Sequence, residues 1–178
     1  MTIELGNIEK QLADVGECNT PPLDLWHPEL SGSIDIRISR DGHWYHDGTI
    51  ITRDAMVRLF ASILRRESDG EYYLVTPVEK WRIRVDMQPL LVRDVRWGHG
   101  DKEHTLQATL NTGKIFDINE QHPLFLEPRM DNIAAIELPH GLAALFTRNA
   151  WYQLVELAEK GQNPVVVVSA GQPYQLLE

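Results

Sequence analysis

Cysteine occurs once in the 178 residues, at Cys18, so a disulfide within the chain is excluded and a reduced, cytoplasmic setting is expected. Long apolar runs are absent. The densest, 165–168, has the length of a strand and falls far short of the ~18 residues that would suggest a membrane span. Residues 1–10 lack the basic start and the apolar stretch of about 7–15 residues that mark a secretory signal. Surplus positive charge is missing too. A formal net charge of −9 and a pI near 5.2 argue against non-specific nucleic-acid binding, which requires clustered Lys and Arg to neutralise phosphates.

Motifs of catalysis are equally scarce. No Gly-x-x-x-x-Gly-Lys loop cradles a phosphate and no Gly-x-Gly-x-x-Gly precedes a helix, so no cofactor is expected. Ser31-Gly32-Ser33 and Ser169-Ala170-Gly171 lack the Gly-x-Ser-x-Gly elbow of a nucleophilic serine. Cys18 stands beside Glu17, whose charge disfavours a reactive thiolate. His43 and His46 are three apart on an expected strand, which sends them to opposite faces. His99, Asp101, Glu103 and His104 share one loop, but no helical His-Glu-x-x-His or Cys/His framework supports them, and no metal site is expected.

What is present is an ordinary globular composition, 43% hydrophobic and 24% charged, long enough for one domain or two small ones. Charge is unevenly spread. Positions 37–96 hold 11 of the 17 basic residues against nine acidic ones, so a locally positive face is expected on an acidic protein.

The local pattern is rich in strands. Residues 1–20 read as an arm, with Ile8, Leu12 and Val15 at helical spacing before Gly16. Pro21-Pro22 stiffens the connector, and Trp26-His27-Pro28 reads as a strap whose indole needs a groove. Ile34, Ile36 and Ile38 alternate with Asp35, Arg37 and Ser39, the period of a strand with one buried face. Asp41-Gly42 predicts a primed hairpin turn, and Asp47-Gly48 a second turn. Thr52 is positioned to cap a helix whose apolar stripe is Met56, Leu59, Phe60 and Ile63. Strands are expected at 72–75, around Ile83 and Val85, and at 105–110, 114–118, 133–138, 142–146 and 165–168, with a helix from Thr147 to about Lys160.

Two of these helices match. Thr52-Arg53-Asp54-Ala55 and Thr147-Arg148-Asn149-Ala150 stand 95 residues apart. At the same offset Ala55, Met56, Leu59, Phe60 and Ile63 fall on Ala150, Trp151, Leu154, Val155 and Ala158, all apolar. Together with the hairpins around them, they predict an α+β fold of two similar β-rich units, each made of antiparallel hairpins and one helix. The boundaries expected are an arm at 1–20, a first unit at 21–86 and a second at 87–178.

Asp35, Arg37, Arg82 and Arg84 are the candidate ligand-binding residues. Alternation puts Asp35 with Arg37 on one polar strand face and Arg82 with Arg84 on another; if the strands are neighbours, the four can grip carboxylate or phosphate. The competing reading is a solvated sheet face with cross-strand ion pairs.

Several segments resemble a known family: Gly32-Ser33-Ile34-Asp35-Ile36-Arg37-Ile38, then Asp41-Gly42-His43-Trp44-Tyr45, and, most distinctively, Leu74-Val75-Thr76-Pro77-Val78-Glu79-Lys80. From about Pro21 to the C-terminus the chain is similar to the uncharacterised bacterial family of domain of unknown function 1285. That resemblance implies a duplicated α+β core, a C-terminal half like pleckstrin-homology folds and a part in signalling. It carries no reaction or ligand. The expected function is therefore binding of a small anionic ligand or an acidic protein partner, in a cleft between the two units. The alternative is a hydrolase or transferase using Asp35 with His43, or Ser31, which requires these side chains to converge.

Overall fold

The computed structural model describes Gly6, Ile8, Lys10 and residues 20–102, 104–158 and 164–177. Leu12, Val15, Gly16 and Cys18 of the arm, and Glu103, lie outside the described residues; Gly6, Ile8 and Lys10 are helical, and Ile8 is buried. The chain divides into two compact units between Met87 and Gln88. Among the described residues no helix is long and apolar enough to cross a membrane.

The first unit contains β1 (Leu30–Ile38), β2 (Trp44–His46), β3 (Thr49–Ile50), α1 (Asp54–Ser62), β4 (Leu64–Arg66), β5 (Tyr72–Val75) and β6 (Lys80–Val85). Its six-stranded sheet runs β3-β2-β1-β6-β5-β4, with β1 and β6 parallel at the centre. Alternation along β1 works as expected: Ile34, Ile36 and Ile38 are buried while Asp35 and Arg37 are exposed. Asp47 and Gly48, both at positive φ (46° and 76°), form the two-residue turn that pairs His46 with Thr49. At Asp41-Gly42 the expectation is corrected. Only Gly42 has positive φ, and the connection is longer, closed by Ser39 N–H donating to the His43 carbonyl at 2.9 Å.

Helix α1 also departs from its expected ends. Thr52 does not cap it; the N-cap position is held by Arg53, whose side chain makes no capping bond. The helix stops at Ser62, whose hydroxyl donates to the Leu59 carbonyl. Ile63 is buried beyond the helix end, and 64–66 turns straight into β4, a strand the helical periodicity conceals. Phe60 faces the core, with its ring centroid 6.2 Å from that of Trp44. The strap is extended at Trp26, which is buried, and it is pinned by Arg65, whose Nη1 donates to the carbonyls of Leu23 and Trp26, both at 3.0 Å.

The second unit contains β7 (Leu90–Trp97), β8 (Leu106–Leu110), β9 (Ile115–Asp117), β10 (Leu124–Glu127), β11 (Ile133–Leu138), β12 (Leu142–Phe146), α2 (Arg148–Leu157), β13 (Val165–Ser169) and β14 (Gln172–Leu177). The large sheet runs β10-β11-β12-β7-β8-β9, with β7 and β12 parallel, and β13-β14 is a separate hairpin. The plan is that of the first unit: two three-stranded meanders whose first and last strands lie side by side. The two units are therefore similar β-rich α+β folds. The helices are not equivalent, however. Helix α1 joins the two meanders, whereas α2 follows the sixth strand. Topology matches Leu30 with Leu90, while the helix offset would have matched it with Phe125. Shared apolar spacing reports which face a helix buries, not where the helix sits in a topology, and even the buried faces differ: Ala55 is exposed where Ala150 is buried.

Helix α2 has the work of a strand. Pairing of β12 with β7 ends at Phe146–Val92, and Thr147 N–H then donates to the Val92 carbonyl. Past that point Val95 N–H, which has no strand to meet on that side, donates to Gln153 Oε1 at 3.1 Å, and Gln153 Nε2 donates to Asp94. Thr147 caps this helix, its hydroxyl accepting from Ala150 N–H. Ser169 ties the hairpin to the sheet: its fully buried hydroxyl accepts from Leu106 N–H at 2.8 Å and donates to the Ile118 carbonyl at 2.6 Å.

Candidate functional site

The outer face of the first sheet carries the candidates, and strand register shows how they meet. Arg37 lies opposite Tyr45 on β2 and opposite Arg84 on β6, and Tyr45 lies opposite Ile50 on β3. Four consecutive strands thus present Ile50, Tyr45, Arg37 and Arg84 in one row. Arg82, two residues from Arg84, shares its face and pairs across with Ser33 and Tyr73. The Arg37 guanidinium sits over the Tyr45 ring, 5.9 Å from its centroid, which confirms the register at side-chain level.

The three arginines are not alike. Arg37 is occupied: its Nε donates to both carboxylate oxygens of Asp86 at 3.0 and 3.1 Å, and Nη2 completes the fork. The pairing raises the Arg37 pKa and holds the Asp86 carboxyl below its ordinary range, in each case chiefly through the hydrogen bond. Arg84 is loosely held. Its side chain is 70% exposed and its Nη2 stands 3.8 Å from Asp35 Oδ1, beyond hydrogen-bond range. Arg82 is exposed. Arg82 and the loosely paired Arg84 both project from a strand buried on its other face by Ile83.

At the far edge of the same face the charges are consumed locally. Glu67 accepts from Arg65 at 2.6 Å and from Lys80 at 3.0 Å; burial alone would raise its pKa, and the two cations bring it below the usual value. Tyr73 donates to Asp69 at 2.6 Å, and that bond with burial pushes the phenol up to about 12. The structure therefore brings Asp35, Arg37, Arg82 and Arg84 to one face and spends Arg37 internally.

The catalytic alternative does not assemble. Ser31 Oγ accepts from Lys80 N–H near the start of β1. His43 Nδ1 pairs with Asp41 at 2.9 Å at the other end, and Asp41, which also accepts from Ser39, has its pKa lowered first by the Ser39 bond and then by His43. Asp35 lies four strand positions from Ser31, and four from Ser39, which His43 faces. That is roughly 13 Å each way, so neither is within hydrogen-bond reach. Among the described residues no group of three or more His, Cys, Asp or Glu side chains is arranged to hold a metal; His46 and His43 go to separate aspartates.

Tyr45, Ile50 and Asp86 escaped the sequence reading. The two-residue turn at Asp47-Gly48 does carry the signal for the first two, because a loop of that length forces Tyr45 opposite Ile50. Asp86 pairs with Arg37 across 49 positions, and nothing local announces it.

Two family models account for most of the chain. Residues 21–88 match the model described as domain of unknown function (DUF1285), N-terminal domain, and residues 89–176 the one described as protein of unknown function (DUF1285), C-terminal domain. The chain belongs to the DUF1285 family. A DUF1285 family protein from Silicibacter pomeroyi DSS-3, solved at 2.50 Å, is 35% identical with a TM-score of 0.84, covering 99% of this chain and 96% of that one. Another from Shewanella baltica OS155 is 30% identical with a TM-score of 0.58, covering 68% of this chain and 90% of that one. No curated protein matches.

The geometry explains two of the DUF1285 segments in this chain. In 74–80, Leu74 and Val75 fill the core, and buried Thr76 closes the β5–β6 turn, accepting from Glu79 N–H at 3.0 Å through its hydroxyl and donating its own N–H to the Glu79 carbonyl. In 32–38, Gly32 stands at φ 142°, and a Cβ there would lie 3.2 Å from the Trp81 ring, so glycine lets the two central strands approach.

Proposed function

We propose that this DUF1285 protein is a binding module, not an enzyme, that grips an acidic group of a partner on the open face of its N-terminal sheet. The observation that carries the reading is the contrast between the arginines: Arg37 is satisfied by Asp86, while Arg82 and Arg84 keep their donors for a ligand carboxylate or phosphate. Asp35 beside Arg84 sets the fork's position and competes weakly for it. The positive bias of positions 37–96 within an acidic chain favours an anionic partner, and the single cysteine fits action in a reducing, cytoplasmic compartment.

Fluorescence anisotropy with a labelled oligo-glutamate peptide tests the reading. Wild-type protein is expected to bind with an affinity that falls steeply as salt rises. The double variant Arg82→Gln/Arg84→Gln should bind about tenfold more weakly or worse, and Asp35→Asn a few-fold more tightly, because it removes the competing carboxylate. Equal affinity in wild type and the double variant would overturn the proposal.

A further inference from the structure

We infer that the partner's acidic group belongs to an extended peptide that crosses the strands of this face, with an apolar residue docked at Ile50 and Tyr45 and its carboxylate at Arg84. The inference rests on the proposed anion site and adds the second half of the recognition. Its basis is the registered row across β3, β2, β1 and β6, which changes character from one end to the other. Ile50, 42% exposed although apolar, lies opposite Tyr45; Arg37 over the Tyr45 ring is neutralised by Asp86; Arg84 at the far end is 70% exposed and held only loosely by Asp35 at 3.8 Å.

Spacing selects the occupant. Adjacent strands lie about 4.8 Å apart, so three intervals separate Ile50 from Arg84 by about 14 Å. One phosphate or carboxylate metabolite cannot touch both ends. An extended chain advances about 3.3 Å per residue, so an apolar residue and a carboxylate about four positions apart match the row. The occupied Arg37–Asp86 pair in the middle presents no net charge, which suits the uncharged backbone of such a segment passing over it. Apolar contact at one end and charge at the other also fixes which way the peptide runs, which an all-acidic ligand would leave undetermined.

Three labelled peptides of equal charge separate the possibilities: one with leucine four positions before paired glutamates, one with alanine in place of that leucine, and one with leucine adjacent to the glutamates. Wild type is expected to bind the first at least fivefold more tightly than the other two. Ile50→Ser should erase that preference; Ile50 is exposed, and an unshifted melting temperature checks that the fold is intact. Equal binding of the three peptides, or a preference that survives Ile50→Ser, overturns the row while the anion site stands. Failure of every acidic peptide to bind overturns both.

Discussion

The two units share a strand order and differ in what their central parallel pair presents. In the first, Arg37 lies opposite Arg84; in the second, Leu91 lies opposite Leu145. The first pair is exposed and the second buried. Strands β7 and β12 open on Leu-Leu-Val and run Leu-Ala-Ala-Leu-Phe, buried on both faces, whereas β1 alternates. One topology thus yields an apolar slab in one unit and a charged face in the other. The proposed anion site lies where the second face of the sheet is left open.

That contrast can be broken most sharply at Ser169. Its hydroxyl answers two backbone groups within the second unit, so Ser169→Ala leaves the Leu106 N–H and the Ile118 carbonyl without it. A loss of roughly 2–4 kcal/mol is expected by denaturant unfolding. No effect would mean that the hairpin is not what ties this unit together.

Acid should separate the units next. Glu127, buried in the second, accepts from Arg129 and from Gln88; the Arg129 bonds first and the Gln88 bond next lower its pKa to about 2, against burial. A depressed carboxylate contributes its full stability above the unfolded value, 4.5, and loses it as pH falls towards 2. Wild type should therefore lose about 2 kcal/mol across that window more than Glu127→Gln does. Asp86→Asn, in the exposed pair of the first unit, should flatten the acid profile in the same direction but by less, because solvent screens that pair. Identical profiles for wild type and Glu127→Gln would remove the distinction.

The smallest effect concerns the helices. Thr147 caps α2 and Thr52 does not cap α1. Thr147→Ala should cost about 1 kcal/mol and Thr52→Ala close to nothing by the same measurement. Equal costs would restore the equivalence that their sequences suggest.

Legibility followed the range of the interaction. The buried isoleucines of β1, the turn at Asp47-Gly48 and the strands at 72–75, 133–138 and 142–146 are written in neighbouring residues, because alternation and positive-φ turns are local. β4 was hidden because Ile63 and Leu64 continue the apolar helical spacing of Met56, Leu59 and Phe60. The set Asp35, Arg37, Arg82 and Arg84 was visible as polar strand faces, but the spending of Arg37 on Asp86 was not.

Residue order by itself determined that this chain makes two β-rich α+β units with one charged and largely solvated strand face, since hydrophobic period and turn chemistry act over a few residues. Tertiary structure alone decided that α1 and α2 occupy different places, and that Ile50, Tyr45, Arg37 and Arg84 stand in one row. Those facts depend on which distant strands pair and in what register, and each such pairing is won by the packing of the whole sheet.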